Sequence, residues 1–195
     1  MGLFGKKEKP EPTAKSAAPA MSEFDEDIRA LLMRDEIQCR EDVCEAEFGK
    51  AQKLLENPTQ DTLKRAYHII GNLASGFDYV PAILWMGDFA ENAQHDDEKA
   101  VFWYKKAADM GDGNGARCYA DMLMAGKGVQ SDMRQAMHYY GIAADNGVPE
   151  AAFVLGEFLR ASGDRQNAMA AYQQALNGGY APAKIRIEQM KNGNR

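Results

Sequence analysis

The feature that most restricts this chain is a pattern that returns three times. Ala100, Trp103, Tyr104, Ala107, Ala108 and Gly111 form one block. Ala136, Tyr139, Tyr140, Ala143, Ala144 and Gly147 form a second with identical internal spacing. Ala168, Ala171, Tyr172, Ala175, Leu176 and Gly179 form a third. Gly111 and Gly147 are 36 positions apart, and Gly147 and Gly179 are 32 apart. Steps of three and four inside each block are helical spacing, and a period of this size describes stacked two-helix units. One such unit cannot bury its own apolar faces, so neighbours must cover them.

A shorter helix precedes each block. Its equivalent positions are Ala82, Gly115 and Ala151; five residues on stand Gly87, Ala120 and Gly156, and eight residues on stand Ala90, Leu123 and Leu159. Two antiparallel helices approach to about 8–10 Å between axes, and closer contact needs small side chains at the crossing. Gly87, Ala120 and Gly156 supply that gap on the first helix and the Ala pairs supply it on the second. The aromatic pairs are expected to fill the space between repeats. Asp97, Asp132 and Asp164 sit near the start of each second helix, where a carboxylate favours free N–H groups. Gly111, Gly147 and Gly179 sit where the second helix must end.

This pattern resembles the Sel1-like repeat family, relatives of the tetratricopeptide repeats. Trp103-Tyr104 with Ala107-Ala108 and Gly111 matches the second half of the family pattern. Gly126-Lys127-Gly128-Val129 followed by Asp132 matches its central loop, and Leu155-Gly156 its first helix. The first unit departs with Asn92-Ala93-Gln94-His95 in place of the glycine loop, and the third shortens it to Ala161-Ser162-Gly163-Asp164. The resemblance covers about residues 81–190, with Pro182-Ala183 opening a capping helix. It implies an all-α fold, a right-handed α-α superhelix built as a short solenoid of antiparallel helix pairs. It also implies that the first helices line a concave side used to grip other proteins.

The rest of the chain divides around this array. Residues 1–22 are rich in Pro, Ala, Lys and Glu and read as a disordered tail. Residues 23–80 carry helical periodicity in Phe24, Ile28, Leu31, Leu32, Cys39, Val43, Ala46, Ala51 and Leu54, opened by a Ser22–Asp25 cap signal and closed by Asn57-Pro58. A second helix opens near Thr59 or Asp61 and stops around Gly76. These two helices form a candidate degenerate unit, with Ala46 and Ala66 as equivalents and Ile69-Ile70 in the Trp-Tyr positions. Residues 81–195 hold the three repeats and the cap.

Composition narrows the function. The net charge is −6 with 27% charged residues, which disfavours nucleic-acid binding, since phosphate contacts need a clustered basic face. No stretch reaches the roughly 18 apolar residues of a membrane span, and the N-terminus lacks both a secretory h-region and a myristoylation signal. A cytoplasmic protein is the expectation. The three cysteines, Cys39, Cys44 and Cys118, lack zinc-ligand spacing and read as small hydrophobes. His68, His95 and His138 have no recurring ligand partner, and no nucleophile elbow, Walker loop or dinucleotide fingerprint occurs. No metal, no cofactor and no catalysis are expected.

A binding function remains. Six residues into each first helix stand Asp88, Asp121 and Glu157, and three residues before them Trp85, Cys118 and Val154. The expected partner-binding strip is Trp85, Asp88, Asp121, Val154 and Glu157, with carboxylates steering a basic segment of a protein partner and Trp85 anchoring it. A solvated acidic face is the competing reading of these three carboxylates, and Arg117 and Arg160 would weaken its field. The alternative function, drawn from bacterial relatives, is an immunity or regulatory protein that inhibits one partner enzyme. Oligomeric state is not readable from the sequence.

Overall fold

The computed structural model describes the backbone of residues 37–192 and the side chains of residues 41–192. The expected tail over residues 1–22, the Ser22 cap, and Phe24, Ile28, Leu31, Leu32 and the Cys39 side chain lie outside the described residues. The chain runs α1 Ile37–Glu56, α2 Gln60–Gly76, α3 Val80–Phe89 continued by a π-helical turn Ala90–Gln94, α4 Asp97–Asp109, α5 Gly113–Ala125, α6 Met133–Asp145, α7 Pro149–Ala161, α8 Arg165–Asn177 and α9 Pro182–Asn192. No strand occurs among the described residues. The closely packed helix pairs are consecutive in the chain, so the fold is an all-α solenoid of hairpins, α3–α4, α5–α6 and α7–α8, with α1–α2 before them and α9 after.

Local chemistry sets the helix starts. At α2, Thr59 Oγ1 accepts from the Thr62 N–H, and the Thr62 hydroxyl accepts from the Thr59 N–H at 2.8 Å. This reciprocal box satisfies two donors that an open helix end leaves bare. Pro149 opens α7 at a position where no N–H is needed. The second helices are capped by Asp96, Asp132 and Asp164, whose carboxylates accept from the Lys99, Gln135 and Asn167 N–H groups at 3.0–3.1 Å. The cap of α4 is therefore Asp96 and not Asp97. The spacing of the third unit's cap relative to its block fits Asp96 as well, but two adjacent aspartates hid which one caps the helix. Asp112 adds a further cap at α5, accepting from the Gly115 N–H at 2.7 Å.

The small positions of the first helices meet a tyrosine ring. A Cβ on Gly87 would stand 2.5 Å from the Tyr104 ring, and one on Gly156 would stand 2.7 Å from the Tyr172 ring. Tyr104, Tyr140 and Tyr172 are the largest fully buried side chains. The second aromatic of each pair thus fills its own hairpin rather than the space between repeats. Contact between units falls to Gly115, where a Cβ would lie 2.4 Å from the Ala107 Cβ and 2.9 Å from the Ala108 nitrogen. Ala82 and Ala151, the equivalents of Gly115, are fully buried, whereas Ala46 is exposed. Positions of this kind face the preceding unit, and no described unit precedes α1.

Polar contacts recur between units too. The Gln174 amide donates to the Ala144 carbonyl at 2.8 Å, and Lys106 Nζ donates to the Ala74 carbonyl at 2.7 Å. Gln174 and Lys106 each directly precede their unit's Ala pair position, so Ala74 stands to α4 as Ala144 stands to α8. In the central loop Gly128 has φ +63°, and a Cβ there would come within 2.3 Å of the Asp97 backbone. Only glycine lets this loop lie against the preceding unit. At the far end Ala183, Ile187 and Met190 of α9 are buried, and Arg165 Nη2 donates to the Met190 carbonyl at 3.0 Å.

Candidate functional site

The strip is built by the first helices and the tyrosines behind them. Tyr104 donates to Asp88 at 2.7 Å and to Glu91 at 3.2 Å. Tyr140 donates to Asp121, and Tyr172 donates to Glu157 at 2.6 Å. The reason is geometric. Gly87 and Gly156 leave room for the ring against the first helix, and in all three units the next residue along holds the carboxylate at the reach of the phenol. The carboxylates recur in one register because the tyrosines do. In α1–α2 both partners are missing together: Ile70 replaces the tyrosine, and Gln52 stands six residues after Ala46.

The ion pairs differ from unit to unit. Glu91 meets Lys127 of the next unit at 3.3 Å. Asp121 pairs with Arg117 at 2.8 Å. Glu157 pairs with Arg160 at 3.1 Å and with Arg186 of α9 at 2.7 Å. Burial pushes the Tyr104 and Tyr140 phenols well above their ordinary range, and the bonded carboxylates push them further. Tyr172 is pushed up to about 12 by burial and then by Glu157. Burial works to raise the Glu157 carboxyl, but the Tyr172 and Arg160 hydrogen bonds and Arg186 outweigh it and hold it below the usual range.

The predicted residues fall as follows. Asp88, Asp121 and Glu157 do form a series along the first helices, but each is tied to a tyrosine, so none is a simple solvated charge. Trp85 is half-buried and stacks on Phe89, centroids 5.0 Å apart and planes 10° apart, while Phe89 leans on Tyr67 at 5.3 Å. Val154 is half-buried against the array core. Cys118 carries a thiol pushed up to about 11, burial raising it, Arg117 lowering it, and Asp121, Asp88 and Glu91 raising it again. Such a shift keeps the thiol protonated near neutral pH, and its sulfur accepts a hydrogen bond from Arg117 at 3.3 Å. Sequence reasoning missed three contributors: the phenol oxygens, Glu91 and Arg186. The tyrosines were visible as core, but their oxygen's destination depends on the helix crossing. Arg186 occupies in α9 the place held by Trp85, Cys118 and Val154, and this equivalence was the available signal.

Other surfaces offer less. Among the described residues no cluster of His, Cys, Asp and Glu is arranged to hold a metal. No helix among them is long and apolar enough to cross a membrane. His68 lies 3.2 Å from the Asn72 amide on its own helix, and His138 sits edge-on to Tyr139. On α4 the ring of Phe102 is 58% exposed beside Met110, but the charges there are satisfied, Lys105 by Asp109 and Lys106 by Asp78, each at 2.6 Å.

This geometry of hairpin, buried tyrosine and crossing glycine has known counterparts. The Sel1 repeat family model matches residues 82–112 and 119–148, the first two units. Residues 82–148 thus carry Sel1-like repeats. A solved Sel1 repeat protein from Oxalobacter formigenes superposes with a TM-score of 0.56 at 27% identity, over 62% of this chain and 95% of its own. A protective antigen of uropathogenic Escherichia coli with the SLR fold superposes with a TM-score of 0.63 at 20% identity, over 84% of this chain and 35% of its own. An uncharacterised protein of Neisseria meningitidis serogroup B is 26% identical over 136 residues, which is 68% of this chain and 27% of that protein. The chain thus spans about a quarter of that relative's length. The Sel1-like third unit, residues 149–179, lies outside the matched segments yet repeats the same glycine, tyrosine and carboxylate contacts. Repeats of this kind commonly serve as scaffolds for protein–protein interaction, and are generally non-catalytic.

Proposed function

We propose that this Sel1-like array is a scaffold that holds a partner protein along its concave face, on the strip of Trp85, Asp88, Asp121, Val154 and Glu157. The observation that supports the reading is the carboxylate at the same position of each first helix, fixed by a buried phenol. A carboxylate already oriented by a strong bond loses little rotamer freedom when a partner engages it, and at Asp121 and Glu157 the partner's cation competes with Arg117, Arg160 and Arg186. The partner is a protein with a basic segment, attracted by this series and by the half-buried apolar groups beside it. No chemistry is assigned to the array itself.

The test removes charge without removing the acceptor. Asp88→Asn, Asp121→Asn and Glu157→Gln together leave each tyrosine an oxygen to bond. Wild type immobilised on resin is expected to retain one or a few proteins from its own cell lysate at low salt. The triple variant is expected to release them, as is wild type at high salt. Equal retention of the same proteins by a folded triple variant at low salt would overturn the reading.

A further inference from the structure

The strip does not carry the same charge along its length. Over the first unit, Asp88 and Glu91 face one cation, Lys127, which leaves one net negative charge. Over the second, Asp121 is matched by Arg117. Over the third unit and α9, Glu157 is matched by both Arg160 and Arg186, which leaves one net positive charge. Glu150 also acts on Arg117, so the middle does not turn positive and the sign changes only beyond Asp121. The groups are continuous across units: Asp88 and Glu91 both act on Cys118 of the next first helix, and Arg186 reaches back to Glu157. The apolar anchor is one-sided as well. The Trp85–Phe89–Tyr67 stack lies at the negative end, while the equivalent place at the other end holds Arg186.

We propose that the strip is polar and takes an extended partner segment with a cationic side chain over Asp88 and Glu91, beside Trp85, and a carboxylate over Arg160 and Arg186. The proposal rests on the docking face proposed above and adds what that face selects. Complementary charge sets the occupant: a uniformly basic segment meets Arg160 and Arg186 with repulsion, and a uniformly acidic one meets Asp88 and Glu91 the same way. Spacing sets its length. Two repeat steps of about 10 Å separate Asp88 from Glu157, which an extended segment covers in about six residues. The cation gains a face of Trp85 as well as two carboxylates, so the negative end selects arginine over lysine.

The experiment uses the full chain and three synthetic, end-blocked peptides of equal length. Their terminal residues are Arg and Glu, Arg and Arg, or Glu and Glu, each pair separated by the same six neutral residues. Binding is followed by fluorescence anisotropy of a neutral dye at low salt. The Arg/Glu peptide is expected to bind tightest, by about threefold over either uniform peptide, as suits exposed pairs. Arg160→Gln with Arg186→Gln should move the preference to the Arg/Arg peptide. If wild type prefers the Arg/Arg peptide, the polarity is overturned while docking on an acidic face stands. Equal binding of all three, or none, also overturns it, and carboxylate-dependent retention of lysate proteins still measures the docking face separately.

Discussion

At the residue scale, the recurring unit is a phenol trapped between a glycine or alanine and a carboxylate. The ring is buried, so its hydroxyl must find a partner, and in all three units it donates to the acid one position beyond the small residue. Tyr140→Phe is therefore expected to lower stability by about 1 kcal/mol in urea denaturation, because Asp121 then loses a donor and the ring stays packed. Asp121→Asn should cost less, since an amide oxygen still accepts. The bond also sets the pH range. Tyr172 ionises near its ordinary 10.0 when unfolded but only near 12 when folded. Its contribution is whole below pH 10 and is lost as pH climbs from 10 to 12. Glu157 works in the opposite sense: its folded value lies below the ordinary 4.5, so its contribution is whole above that and fades as pH falls below it. Melting temperature against pH should show a plateau between these limits, and Tyr172→Phe should flatten the alkaline fall. The acids and the tyrosines were each legible as repeats in the sequence. Their pairing was not, because it depends on how two helices cross rather than on spacing along either one.

At the scale of the helix, the sequence marked every second helix. Asp97 was expected near the start of α4 and is its first residue, while the side chain that caps the helix is the neighbouring Asp96. Asp96→Ala is expected to cost about 1 kcal/mol of stability and Asp97→Ala clearly less, since only the former leaves the Lys99 N–H without its acceptor. Glycines separate in the same way. Gly141 and Gly71 lie inside α6 and α2 with no atom near a would-be Cβ, so alanine there should stabilise by up to about 1 kcal/mol through helix propensity. Gly156→Leu should destabilise by about 1–3 kcal/mol, because its side chain must displace the Tyr172 ring. Ala144→Leu, at a fully packed position, should do the same. Chemical denaturation of this set checks the contrast, and a stabilised Gly156→Leu would contradict the crossing role. The π-helical turn Ala90–Gln94 was beyond sequence reading. The first unit lacks the glycine loop, and instead of a Gly-led turn the helix widens and closes at His95 with φ +53°.

At the scale of the molecule, the buried side chains among the described residues form two clusters, one centred on α1–α4 and one running from α3 to α9. Leu84 packs against both, and Ala107 and Ala108 belong to one each, so the two clusters meet on α3 and α4, beside the place where α5 crosses α4. That crossing depends on Gly115, which has backbone as well as side chain within clash distance. Arrays of this kind have stabilities that sum unit terms and nearest-neighbour terms, so weakening one interface need not unfold the units on either side. Gly115→Val is therefore expected to split the thermal transition, with the α1–α4 half and the α5–α9 half melting separately. Trp85 and Trp103 both lie on the N-terminal side of the crossing, so tryptophan fluorescence reports that half alone while circular dichroism reports both. In wild type the two signals should change together, and in the variant they should part by several degrees. Coincident transitions in a folded Gly115→Val protein would mean that the contacts flanking this crossing, Lys127 to Glu91 and Gly128 against Asp97, couple the halves without it.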